Sequence, residues 1–85
     1  MPPPEVTLLV DQLRAQLDAG RLARRGRVDL GPEGSLEAEL AARIVLADID
    51  HWSFMERTRR QRVSRAQWGH LTEQLRRLLR YAKAD

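Results

Sequence analysis

Residues 36–58, "LEAELAARIVLADIDHWSFMERT", decide how this chain folds. Apolar side chains return every three or four residues, which predicts one long helix from Leu36 to about Thr58. On a helical wheel, Leu36, Leu40, Ile44, Ala47, Phe54 and Met55 cover one flank, and Ala41, Val45, Ile49 and Trp52 cover another. Glu39, Arg43, Asp50 and Arg57 line a single polar stripe. A helix apolar around most of its circumference either occupies the centre of a bundle or packs against a second chain. Ser35 is placed to cap this helix, with Glu37 and Glu39 in the first turn, where carboxylates meet the positive end of the helix dipole.

Downstream, "RRQRVSRAQW" at 59–68 joins the long helix to another. Ser64 and Gln67 fit a capping box, and Val63 and Trp68 hold the two positions of a hydrophobic staple, so a third helix is expected over about 65–82. Trp68, Leu71, Leu75, Leu78, Leu79 and Ala82 share one face of it. Arg65, Arg76, Arg80 and Lys83 share the opposite face, with Arg77 at its margin.

Upstream, residues 1–4 are a proline-rich lead, and proline is well tolerated in a first helical turn. Val6, Leu9, Val10, Leu13 and Leu17 form a narrow apolar stripe, and Gly20 is a natural stop, which predicts a helix over about 5–19. The intervening "GRLARRGRVDLGPEG", residues 20–34, is expected as a Gly-rich basic connector in which "RVDL" can make a brief extended segment. Strand, helix, helix is also the order of a ribbon-helix-helix domain, but this strand is short and the helix after it long. The expected architecture is therefore a single all-α domain of three helices spanning residues 1–85.

A chain of 85 residues buries a smaller fraction of its surface than a larger domain, and self-association is one way to supplement a marginal core. Cysteine is absent, which excludes disulfides and thiolate metal sites and suits a reducing compartment, so a cytoplasmic location is expected. No apolar run approaches the roughly 18 to 20 residues needed to span a bilayer. The net charge of +3 is segregated: residues 1–19 carry −2, 20–34 carry +2, 35–56 carry −4 and 57–85 carry +7. Such segregation favours attraction to polyanions, or pairing of acidic with basic segments within or between chains. Fourteen of the fifteen basic residues are arginine, whose planar fork suits phosphate and carboxylate alike.

Two functions of different class follow. In the leading one the chain is a non-enzymatic protein-interaction or assembly module, dimerising through the central helix with Val45, Ile49, Trp52, Phe54 and Met55 as the contact set and the basic C-terminal segment meeting an acidic protein partner. In the competing one it is a small DNA- or RNA-binding regulator whose nucleic-acid-binding residues are Arg57, Arg59, Arg60, Arg62, Arg65, Arg76 and Arg80. Six of these on phosphates would give a log-log salt slope of about −5. A solvated face is the alternative for the same arginines, helped by Glu56 with Arg60 and Glu73 with Arg77 at i,i+4 spacing.

No catalytic residue, cofactor or metal is expected. Asp48 and His51 are neighbours at i,i+3, but Glu37 lies eleven residues before Asp48, too far to complete a site on one chain. The serines read as caps or helix interior, and "GRVDLGPEG" lacks the Gly-Lys-Ser/Thr ending of a phosphate loop.

Residues 42–79 resemble the helical hairpin of PIN-domain ribonucleases, with Asp48 at an acidic ligand position and "VTLLVD", ending at Asp11, in place of the first strand. That resemblance implies a metal-dependent nuclease using Asp11 and Asp48, although the second half that carries the remaining ligands of those enzymes has no counterpart in this sequence. "RVDLGPE" at 27–33 with "MER" at 55–57 is similar to K-type gas-vesicle accessory proteins, in which a helical pair also follows, but their C-terminal motif is missing.

Overall fold

The computed structural model describes residues 2–22, 26–31 and 34–83, without the side chain of Lys83. Three helices and a small hairpin follow in the order α1 (Pro4–Asp18), β1 (Arg27–Asp29), β2 (Ser35–Glu37), α2 (Ala38–Arg57) and α3 (Arg65–Lys83). The three expected helices are present, each within two residues of its expected limits. Residues 23–25 and 32–33 of the connector lie outside the described residues.

Proline opens α1 at Pro4, where the missing N–H is one the helix could not have used, and the Pro3 carbonyl accepts from the Val6 N–H at 3.0 Å. The helix closes in a Schellman motif. Gly20, at φ +71°, donates to the Leu17 carbonyl at 3.0 Å, and the Arg21 N–H donates to that of Gln16 at 3.1 Å. The same motif closes α2: the N–H groups of Arg59 and Arg60 donate to the carbonyls of Glu56 and Met55 at 3.1 and 3.0 Å. Here the left-handed residue is Arg59, at φ +58°.

Within the connector, β1 and β2 pair antiparallel, with Val28 opposite Leu36 and Asp29 opposite Ser35. Gly31, at φ +81°, turns the chain, and its N–H is held by the Asp29 Oδ1 at 2.8 Å. This hairpin corrects the expected start of α2. Ser35 is a strand residue whose Oγ accepts from the Arg27 Nε at 3.2 Å, and the N-cap position is Glu37, which makes no side-chain cap bond. The first N–H groups of a helix have no partner within it, whereas residues 35–37 gain partners by pairing with residues 27–29. Because β1 is paired inside its own chain, the ribbon-helix-helix order has no counterpart here.

At α3 the sequence reads through without correction. The Gln67 N–H donates to the Ser64 Oγ and the Ser64 N–H to the Gln67 Oε1, both at 3.1 Å, which is the reciprocal bond pair of a capping box. Val63 and Trp68 are both buried, as are Leu71, Leu75, Leu78, Leu79 and Ala82. The bundle closes around α3, which packs extensively on both α1 and α2, while α1 and α2 touch each other less. Leu22, Val28 and Leu30 bring the connector into the same core. Toward that core α2 turns Ala38, Ala41, Ala42, Val45, Leu46 and Ile49, and its small N-terminal residues allow close approach. Among the described residues no helix is long and apolar enough to cross a membrane.

Candidate interaction surfaces

Opposite its core face, α2 carries a second apolar stripe. Leu40 is 48 % exposed, Ile44 37 % and Phe54 44 %, with exposed Ala47 and His51 filling the positions between. Intervals of four, three, four and three residues keep all five on one side of a helix, the spacing of a coiled-coil seam. From Leu40 to Phe54 the stripe runs about 21 Å at 1.5 Å per residue. Leu8 of α1 is also exposed, but a single apolar side chain at a surface is ordinary. Several large ones in register on one helix are not.

Two of the five residues expected to make contact lie in the core. Val45 and Ile49 are 0 % and 4 % exposed and belong to the core of the single chain, so they are closed to a partner. Trp52 is half-buried against that core and meets His51 edge-to-face, with ring centroids 5.3 Å apart. Met55 is half-buried, and of the five only Phe54 is exposed. Leu40 and Ile44, outside the expected set, are exposed. Their signal was present in the sequence as the first apolar flank, but two equally apolar flanks cannot be ranked before the neighbouring helices are placed.

Charges border one side of the stripe. The Arg43 Nη2 reaches the Glu39 Oε1 at 3.0 Å, and the Arg14 Nη2 of α1 reaches the Asp50 Oδ2 at 3.2 Å. Arg57 lies over the Phe54 ring, its guanidinium carbon 5.8 Å from the centroid, within range of a cation–π contact. On the other side a groove of about 360 Å³ separates α2 from α3, lined by Asp48, Trp52, Ala66, Gln67, His70 and Leu71.

The arginines divide into two groups. Arg57, Arg59, Arg60, Arg62 and Arg65 are exposed around the turn between α2 and α3, and none forms an ion pair with an acidic group among the described residues. Those along α3 are engaged: Arg76 pairs with Glu5 of α1, while Arg77 and Arg80 reach the Glu73 Oε1 at 3.5 and 3.4 Å. The Glu73–Arg77 pair is the one expected at i,i+4. Glu56 and Arg60 do not share a helical turn, since α2 ends at Arg57. A phosphate-binding set of Arg59, Arg60, Arg62, Arg65, Arg76 and Arg80 is therefore not uniform, because the last two already hold carboxylates.

Among the described residues no three His, Asp or Glu side chains are grouped to hold a metal ion. Ser64 is occupied as a cap and Ser35 in the hairpin. Residues 6–11, which the PIN resemblance sets in place of a first strand, lie within α1. No family model matches the chain, and no curated protein and no solved structure matches it significantly.

Proposed function

We propose that this chain is a non-enzymatic helical assembly module that binds a second copy of itself through the outward face of α2. The observation that carries this reading is the seam-spaced stripe of Leu40, Ile44, Ala47, His51 and Phe54, exposed opposite a fully formed core. A half-exposed large side chain retains roughly 1 kcal/mol of its burial gain, and a two-fold contact collects that gain from both copies. The absence of cysteine suits the reducing cytoplasm, the compartment in which the proposal puts the chain.

The test is the molecular mass in solution across a concentration series, by sedimentation equilibrium. Wild type should pass from monomer to dimer as concentration rises. Ile44→Glu and Phe54→Glu should stay monomeric with unchanged helicity, whereas Val45→Glu, one residue away on the buried side, should unfold. A wild type that stays monomeric at every concentration would end the proposal.

The exposed turn supports a second reading. Five exposed arginines within nine residues, none in an ion pair with a carboxylate among the described residues, form a compact cationic surface suited to a nucleic-acid backbone. Anisotropy of labelled duplex DNA, single-stranded DNA and structured RNA over a salt series tests it. Contact by these five alone predicts a log-log slope of about −4 to −5. Flat traces at low salt would remove this reading and leave the first.

A further inference from the structure

Resting on self-association through α2, we infer that the two α2 helices pair antiparallel, with the two-fold axis passing beside Ala47. The stripe is balanced about that residue: Leu40 lies seven positions before it and Phe54 seven after, with Ile44 and His51 between. Ala47 is the smallest of the five, so the helices approach most closely there. Antiparallel pairing then sets Leu40 of each copy against Phe54 of the other, closing both ends of the seam with large side chains.

The bordering charges choose the direction. Along the margin they run Glu39, Arg43, Asp50, Arg57, that is minus, plus, minus, plus. In an antiparallel seam this margin faces itself reversed. Arg43 of one copy then meets Asp50 of the other, and Glu39 meets Arg57, each pair occurring twice. Parallel pairing would instead turn this margin toward the opposite one, where Asp48 lines the α2–α3 groove, Met55 is half-buried and Ala41 lies in the core. Only one of those three positions carries charge, so a parallel seam leaves Asp50 and Arg57 without complements. The intrachain contacts of Arg43 and Asp50 are between exposed groups and hold them only weakly. They leave both free to share a partner across the seam.

Because the chain has no cysteine, single thiols report the geometry directly. Ala47, Leu40 and Phe54 are all exposed, so each tolerates cysteine without disturbing the core. With a short bis-maleimide, Ala47→Cys should cross-link to itself. Leu40→Cys and Phe54→Cys should each remain uncoupled alone and couple to one another when mixed. Efficient self-coupling of Leu40→Cys and of Phe54→Cys separately would establish a parallel seam and overturn the inference. A dimer by mass that couples at none of these positions would also overturn it while leaving self-association standing. A monomer by mass would defeat both.

Discussion

Replacing Arg59 by glycine should make this protein more stable. Two helices end in the same motif, one with Gly20 in the left-handed position and the other with Arg59. An L-residue at φ +58° carries a steric cost of about 1 kcal/mol that glycine does not. The arginine side chain offers little in return, since it is exposed and makes no ion pair among the described residues. Arg59→Gly should therefore raise the unfolding free energy by about 0.5–1 kcal/mol, and for a domain of this size about 1 kcal/mol corresponds to 4–8 °C in Tm. Gly20→Arg is the mirror experiment. Among the described residues, no atom beyond its chain neighbours lies within 4 Å of where its Cβ would sit, so the loss, again about 1 kcal/mol, isolates the backbone term. Urea denaturation followed by circular dichroism reads both, and the slope with denaturant should not change. Loss of stability in Arg59→Gly would refute the reasoning, because it would mean that the arginine side chain holds something in the folded chain. If the gain comes with weakened binding to polyanions, the strain at Arg59 is retained for a contact outside the monomer.

Other perturbations separate the roles of particular residues. Ser64→Ala removes one half of the capping box and should lower stability by about 1 kcal/mol in the same assay. Leu75→Ala, at a fully buried site on α3, should cost about 2–5 kcal/mol, enough to leave so small a domain largely unfolded on warming. Glu5→Gln breaks the exposed pair with Arg76 and should change stability by no more than about 1 kcal/mol; a larger loss would show that this pair anchors α1 to α3. The triple variant Arg60→Gln, Arg62→Gln, Arg65→Gln should retain its melting curve, and in the salt series it should lose nucleic-acid binding if the turn contacts phosphate.

How legible each part was depended on whether local rules or packing decided it. The third helix was fully legible, because its cap, staple and apolar face are all set within residues 63–82. The first helix was nearly so, from one stripe and one glycine. The start of the second was not: "SLE" carries the same residues whether it opens a helix or pairs as a strand, and the deciding partner, Arg27–Asp29, lies across a turn. Which flank of α2 is exposed was hidden for a related reason. Both flanks of α2 are apolar, and only the positions of α1, α3 and the hairpin determine that Val45 and Ile49 go inward while Leu40 and Ile44 stay out. Among the charged side chains, the i,i+4 pair of Glu73 with Arg77 was legible, but Glu5 with Arg76 and Arg14 with Asp50 were beyond local reading, since they join distant parts of the chain.

The contact between α1 and α3 has a kinetic consequence. It joins the two ends of the described chain, so its formation must close a loop containing the hairpin and all of α2. Loop closure of that length precedes any return from the contact, whereas the hairpin and the α2–α3 turn form from near neighbours. Folding should therefore begin in residues 27–83 and finish as α1 docks. In the native state the reverse step is the cheapest large opening, in which α1 lifts away while the remainder stays together. Amide protons of α1 should then exchange ahead of those at the centre of α3, and the apolar groove vacated by α1 would be the place where a crowded solution first exchanges one chain's helix for another's.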